Sequence, residues 1–353
     1  MTKVRFDQIA KEVRSTFSGD KAGVPTVGLE HITPNELLLS NYDIDSENTF
    51  TKAFKKDQIL FGRRRAYQQK AAVATFDGIC SGDITVIEPI EGTVYSKLLP
   101  FIIQNENFFE HAVRGSAGSL SPRVKWEHLA SYEVELPNYE EQVKLSNRLW
   151  AANNLKASYK ALLSSIDEMV KSQFIEMFGD KATKVKLGAI VDVMDDKRKP
   201  INEGERSTMK DGPLYPYYGA TGIVDYINQY LTDEELLCIA EDCGNYGPGE
   251  DSSYIIKGKC WVNNHAHVVR PKANICDITY LHNYLKVADL LPFVSGTTRK
   301  KLTQKAMIEL LIPLPGITEQ KKFVLICEQA DKSKFELKKS IEKMDNVMKA
   351  LMQ

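Results

Sequence analysis

The sequence predicts a mixed α/β fold built twice, each copy followed by a long helix. Three observations predict it. The chain resembles itself at an offset of 178 residues, two apolar seams recur at heptad spacing without a helix breaker, and alternating strand-like runs closed by proline precede each seam.

The offset is clearest from Gly118 onward. The stretch from Gly118 to Pro137 lies over that from Gly296 to Pro315, and Glu141-Gln142 lies over Glu319-Gln320. Identity is low, but the order of roles is the same: a glycine turn, a polar and basic segment, an apolar run, a proline and an acidic helix start. After each proline the periodicity becomes helical. The first seam runs through Leu145, Leu149, Ala152, Lys156, Tyr159, Leu163, Ile166, Val170 and Gln173. The second runs through Phe323, Cys327, Ala330, Lys334, Leu337, Ile341, Met344, Met348 and Leu351. Lysine interrupts both at the same place, as a polar residue that fixes register in a coiled coil does. Two helices lying separately on their own domains are the plainer alternative, but seams of this length favour a long helical pair.

Upstream, Phe6 to Ile9 and Leu187 to Ile190 each open an amphipathic segment, and Ser81 to Pro89 faces Asn263 to Pro271 as alternating strands. Turn residues and charge interrupt the pattern near Pro137, between Gly179 and Lys184, and at Pro315-Gly316. Four segments result: residues 1–137, 138–180, 181–315 and 316–353.

A length of 353 residues suits two domains, and 43% hydrophobic with 26% charged residues excludes a disordered chain. Lys plus Arg number 46 against 47 Asp plus Glu, so no whole-molecule basic field attracts nucleic acid and any such partner must be met by local patches. No apolar run approaches the ~18 residues of a membrane span, and the charged start is unlike a signal peptide, so a cytoplasmic location is expected. Six cysteines without a C-x-x-C are expected to be reduced. Cys238, Cys243, Cys260, His265 and His267 fall close together, but their spacing matches no common zinc pattern, and no metal is expected.

Catalytic motifs are missing. The sequence has no G-x-x-x-x-G-K-[ST] loop, no G-x-S-x-G elbow and no H-E-x-x-H helix, and the glycines from Gly244 to Gly249 lack the dinucleotide spacing. Binding chemistry is easier to find. Seven basic residues and one acid lie between Lys52 and Lys70. Within this stretch Arg63, Arg64 and Arg65 offer forked guanidiniums for phosphates and guanine edges, and Gln68 and Gln69, between Tyr67 and Lys70, add amides able to bond adenine. A strand edge blunted by charge is the alternative. In the second half Tyr217, Tyr218, Asn245 and Tyr246 stand in or beside turns, where they can stack or donate to bases, although aromatics are also favoured in strands whatever their function. Thr297, Thr298, Arg299, Lys300 and Lys301 suit phosphate oxygens, and the matching first-half segment supplies Ser119, Arg123 and Lys125.

With these motifs in view, the chain resembles the DNA-sequence specificity subunits of type I restriction-modification systems. The resemblance covers nearly the whole length. It rests on residues 59–84, on residues 215–223, and on the two Pro-x-x-x-Glu-Gln elements, Pro137 to Gln142 and Pro315 to Gln320. It implies two similar target-recognition domains, residues 1–137 and 181–315, each reading one half of a bipartite target in double-stranded DNA. The segments 138–180 and 316–353 would be spacer helices forming an antiparallel coiled coil in a pseudo-twofold molecule. The resemblance further implies a non-catalytic chain, two modification (methyltransferase) subunits docked through the helices, and restriction (translocase and endonuclease) subunits for cleavage. S-adenosylmethionine, ATP and Mg would belong to those partners. Readers on a stiff spacer would demand half-sites at fixed separation and helical phase. Two other readings stand beside this one: a protein-binding scaffold dimerised through its coiled coil, and a nucleotide-binding enzyme using the Gly244 to Gly249 loop.

Overall fold

The computed structural model describes residues 2–44, 47–179, 182–242, 244, 246–297 and 299–352. The chain divides into two compact units, Met1–Lys160 with Lys338–Gln353, and Ala161–Leu337. Each unit is mixed α/β, in keeping with the expected fold class, and the two are built on one plan.

In the first unit the strand Ile59–Gly62 reads as an unbroken apolar run because it is buried on both faces. It lies between Ile84–Pro89 and Ala71–Val73, with Ala10–Val13 at the edge beyond Ile84–Pro89, and every pairing is antiparallel. A second sheet joins Thr26–Val27, Gly78–Cys80 and Lys52–Phe54, and Thr2–Arg5 pairs with Glu133–Leu136. Phe6, Phe61, Phe101, Phe108 and Phe109 fill the core between sheet and helices.

The second unit repeats this. Leu236–Ala240 lies between Ala266–Pro271 and Ser253–Ile256, with Val191–Val193 at the edge. Its second sheet pairs Tyr215–Tyr218 in parallel with Lys259–Val262, adds Thr232–Asp233, and gains a hairpin strand, Ile223–Ile227, that the first unit lacks among its described residues. Lys184–Lys186 pairs with Leu311–Pro313. Register is kept between the units: Ile59 opposes Ile87 where Leu237 opposes Val269, and Leu60 opposes Val86 where Cys238 opposes Val268. The offset is therefore 178 on one strand and 182 on its partner. The second unit has four more residues between the two strands, and a connection absorbs them without shifting the pairing.

The apolar run that precedes each proline is not one element. It splits into a short helix and a strand, Trp126–Ala130 then Glu133–Leu136, and Gln304–Ile308 then Leu311–Pro313. The long helices follow at Tyr139–Phe178 and Ile317–Met352. Their Pro-x-x-x-Glu-Gln starts have a structural cause. Gln142 accepts the Tyr95 N–H at 2.9 Å and donates to the Pro137 carbonyl at 3.0 Å. Gln320 accepts the Asp277 N–H at 2.8 Å and donates to the Pro315 and Ile275 carbonyls at 2.8 and 2.9 Å. Each buried amide ties the entering chain to its unit and fixes where the helix begins.

Along the first helix Leu145, Leu149, Ala152, Tyr159, Leu163, Ile166 and Val170 are buried or half-buried while most flanking positions are exposed. Phe323, Cys327, Ala330, Leu337, Ile341, Met344, Met348 and Leu351 do the same on the second. In the first unit the opening turns of the first helix, through Leu145 and Leu149, share a core with Met348, Leu351 and Met352 from the end of the second. In the second unit Phe174 and Phe178, at the end of the first helix, meet Phe323 at the start of the second with ring centroids 5.3 and 5.6 Å apart. Start meets end in both units, which is antiparallel pairing. No helix among the described residues is long and apolar enough to cross a membrane.

Candidate nucleic-acid interface

Strand Ile59–Gly62 delivers the arginine run directly to the surface. The Arg63 N–H donates to the Asp83 carbonyl at 2.9 Å, the Val124 N–H donates to the Arg63 carbonyl at 3.0 Å, and the Arg65 N–H donates to the Pro122 carbonyl at 2.8 Å. The run is thus stitched between the start of one strand and a loop whose base closes through reciprocal bonds between Ala117 and Arg123, 3.0 and 2.9 Å long. Gly118 opens the turn at φ 114°, a conformation that only glycine adopts readily.

Asp83 organises the cations there. Its carboxylate accepts from Arg123 Nε at 2.6 Å and Nη2 at 3.4 Å, and from Arg64 Nη1 at 3.4 Å, while Arg64 Nη2 donates to Ser121 Oγ at 3.0 Å. Burial opposes ionisation of Asp83, but the bonds and charges of Arg123 and Arg64 outweigh it and hold its carboxyl below the usual range. The Nε atoms of Arg63, Arg64 and Arg65 are buried without a protein acceptor, so the exposure of these side chains lies on other atoms. Arg63, Asp83 and Lys125, with Arg14 and Lys52, line an open cleft of about 820 Å³.

The rest of the run turns elsewhere. Tyr67 is exposed and Gln68 half-buried in the single turn Ala66–Gln68, but Gln69 lines a separate cavity of about 450 Å³ beside Asn35 and Gln104. The Lys70 ammonium donates to the Leu29 carbonyl at 2.6 Å. Ser119, Arg123 and Lys125 are exposed.

The second unit builds the same hairpin with different charges. Ser295 and Lys301 close it through bonds of 2.9 and 2.8 Å, the Glu241 N–H donates to the His265 carbonyl at 2.9 Å, and the Leu302 N–H donates to the Glu241 carbonyl at 2.7 Å. Thr297, Arg299, Lys300 and Lys301 are exposed. Arg299 Nη2 donates to Asp242 at 2.8 Å, and Lys301 Nζ lies 2.8 Å from Glu241, which also meets Arg198. Burial opposes ionisation of Glu241, and Lys301 and Arg198 reverse that, leaving its carboxyl lowered. Beneath the hairpin the buried His267 ring joins Asp195 Oδ2 to the Leu302 carbonyl, 2.8 Å on each side.

Asn245 and Thr298 lie outside the described residues, as does Cys243. The expected nucleic-acid contact is set aside for Tyr217 and Tyr246, because both are fully buried. The Tyr217 hydroxyl is bound to the backbone of Ile201, and Tyr246 stands in the core. Tyr218 is half-buried, stacked on Tyr254 at 5.3 Å. The exposed aromatics of this sheet are Tyr226 and Tyr230, the latter under the Lys259 ammonium at 5.0 Å. Cys80, Cys276 and Cys327 are buried thiols pushed up to about 12 by desolvation. Asp83, Ser121, Glu241 and Asp242 escape sequence reasoning because their partners arrive through the fold. The turn glycines Gly118 and Gly296 were the available signal.

Residues 180–344 match the family model described as type I restriction modification DNA specificity domain. It is 33% identical over 145 residues to a type I restriction enzyme specificity subunit of Haemophilus influenzae, covering 40% of this chain and 35% of the relative. To the EcoDI specificity subunit of Escherichia coli it is 25% identical over 192 residues, 51% of this chain and 42% of the relative. The matches thus span less than half the length of these curated relatives. Among solved structures, the type I restriction-modification S subunit of M. genitalium superposes with a TM-score of 0.59 at 16% identity, covering 100% of this chain and 96% of the other. A chain from a structure of type I R-M assembly and conformational transition gives 0.57 at 15% identity, covering 99% and 96%. These likenesses establish the fold.

Proposed function

We propose that the chain is the non-catalytic DNA sequence-recognition subunit of a type I restriction-modification complex, in which each unit reads one half of a bipartite target and the paired helices set the spacing. The carrying observation is the repeated basic hairpin, hung from strands of identical register in two units. Arg63, Arg64, Arg123 and Lys125 would face DNA from the first unit, and Thr297, Arg299, Lys300 and Lys301 from the second. Guanidiniums beside serine and threonine hydroxyls suit phosphate oxygens and guanine edges.

Two modification subunits would dock on the helices and restriction subunits would join them. S-adenosylmethionine, ATP and Mg would be held by those partners. The near-balanced charge of 46 basic and 47 acidic residues supports a share of the electrostatic attraction coming from the partners. Motif analysis of methylated genomic DNA, with this chain present and absent, tests the reading. A bipartite motif should appear with the chain, and exchanging residues 1–137 should replace one half only. Loss of both halves, or no change, removes the assignment.

A further inference from the structure

The two hairpins reach one arrangement from opposite charges. Arg64 in the first unit and Asp242 in the second hold the same place, each bridged to the hairpin residue that closes the loop, Arg123 and Lys301. Asp83, whose carbonyl accepts the Arg63 N–H, corresponds in turn to His265, whose carbonyl accepts the Glu241 N–H. The acid therefore lies before the returning strand in the first unit and after the central strand in the second.

Despite this exchange, an acid ends beneath a loop cation in both. The Asp83 side chain is 20% exposed and its partner Arg123 47%. Asp242 is 14% exposed under Arg299 at 59%, and Glu241 is 12% exposed under Lys301 at 49%. Each carboxylate sits inward and each cation reaches outward. A charge that balanced a neighbour incidentally would keep its position or disappear. Here the acid changes strand and the inward acid with outward cation is rebuilt.

We infer that Asp83 in the first unit, and Asp242 with Glu241 in the second, are positioning residues that hold the loop cations in the orientation in which they meet DNA phosphates. The inference rests on the reading proposed above and names the device by which that surface works. Arginine and lysine side chains lose rotamer freedom when they bind, and a cation already fixed by a charge-assisted bond has less to lose. Long-range charge alone argues the reverse, since removing an acid from a DNA-facing surface strengthens attraction to every sequence. The two accounts differ in sign.

The experiment uses the full chain assembled with its methyltransferase subunits, with affinity measured at one salt concentration for a duplex carrying the target and for a scrambled duplex. Asp83→Asn is expected to weaken target binding about tenfold while binding to the scrambled duplex stays equal or tightens, and Asp83→Glu is expected to restore most of the loss. In a background with both Arg64→Ala and Arg123→Ala, Asp83→Asn should add no further loss, since neither cation it holds remains. Target binding by Asp83→Asn that equals or exceeds the unaltered chain overturns the inference, as does a further loss on adding Asp83→Asn to that background. Continued reading of the other half-site by the same variant reports that the chain is folded. An unaltered complex that does not distinguish the two duplexes sinks the proposed function and the inference together. A discriminating complex indifferent to Asp83 sinks the inference alone.

Discussion

Lys156 and Asp345 meet across the two long helices, Nζ to Oδ1 at 2.5 Å, and the residues 178 positions away from each, Lys334 and Asp167, meet at 3.0 Å. The lysine that interrupts each apolar seam is therefore partnered by an aspartate from the opposite helix, once in each unit. A polar pair in a seam fixes register, because a slip of one turn parts the half-buried lysine from its partner on the opposite helix, leaving Lys334 only Asp331 of its own helix at 3.1 Å.

Reversing one charge tests this pair. Lys156→Glu places two acids together and should destabilise the first unit by about 1 kcal/mol, a modest amount because Asp345 is half exposed. Adding Asp345→Lys should recover most of it. Denaturant unfolding of the single and double variants measures the recovery, and equal losses in both would show that the pair does not interact.

The helix start at Gln320 should be more sensitive. Gln320→Ala removes an acceptor for the Asp277 N–H and a donor to two carbonyls in a fully buried place, which leaves backbone groups unpaired at a cost of roughly 2–3 kcal/mol. Gln320→Glu should be no better, since a carboxylate cannot donate to the Pro315 and Ile275 carbonyls. Thermal unfolding should show both variants well below the unaltered chain.

His282 gives the second unit a pH dependence. Burial first, and then the charge of Lys286, pull its ring down to about 4, while Ser253 Oγ lies 2.9 Å from Nδ1. The fold holds the neutral ring, whereas the unfolded chain takes up a proton near 6.5. The stabilisation is complete above pH 6.5, declines as pH falls, and is lost by about pH 4, amounting to roughly 3 kcal/mol at most. The lowered carboxyls of Asp195 and Glu241 lose their contributions only below the ordinary carboxylate range, and comparison with His282→Gln isolates this ring's share of the slope between pH 6.5 and 5. His282→Gln should flatten the slope in that interval, and an unchanged slope would assign it to another group.

At the proposed interface, Arg64→Ala should lower the affinity of the assembled complex for target DNA roughly tenfold and reduce the slope of log affinity against log salt by about 1, as loss of one phosphate contact does. The half of the target read by the second unit should stay as it was. A changed second half would place Arg64 outside a first-unit reader.

Duplication and the two heptad seams were legible in the sequence because period and offset survive when identity fades. Gln142 and Gln320 stood in a visible motif, although their task became apparent only with Tyr95 and Asp277 beside them. Asp83 and Asp242 were not legible, since an ion pair depends on which loops the fold brings together. Tyr217 and Tyr246 misled for a related reason: a tyrosine in a strand and one at a binding surface look alike until burial separates them. The extra four residues between the paired strands of the second unit also blurred the repeat. Only strand register, which ignores loop length, restores the alignment.

That shared register makes the two units interchangeable sockets at these strands. A segment cut at Leu60 and Val86 ends on the same opposed pair as one cut at Cys238 and Val268. Transplanting one for the other would carry the arginine run with Asp83, or its counterpart, into a frame whose strand register already fits it, so the two units could exchange this surface segment within a single gene as readily as change it by substitution.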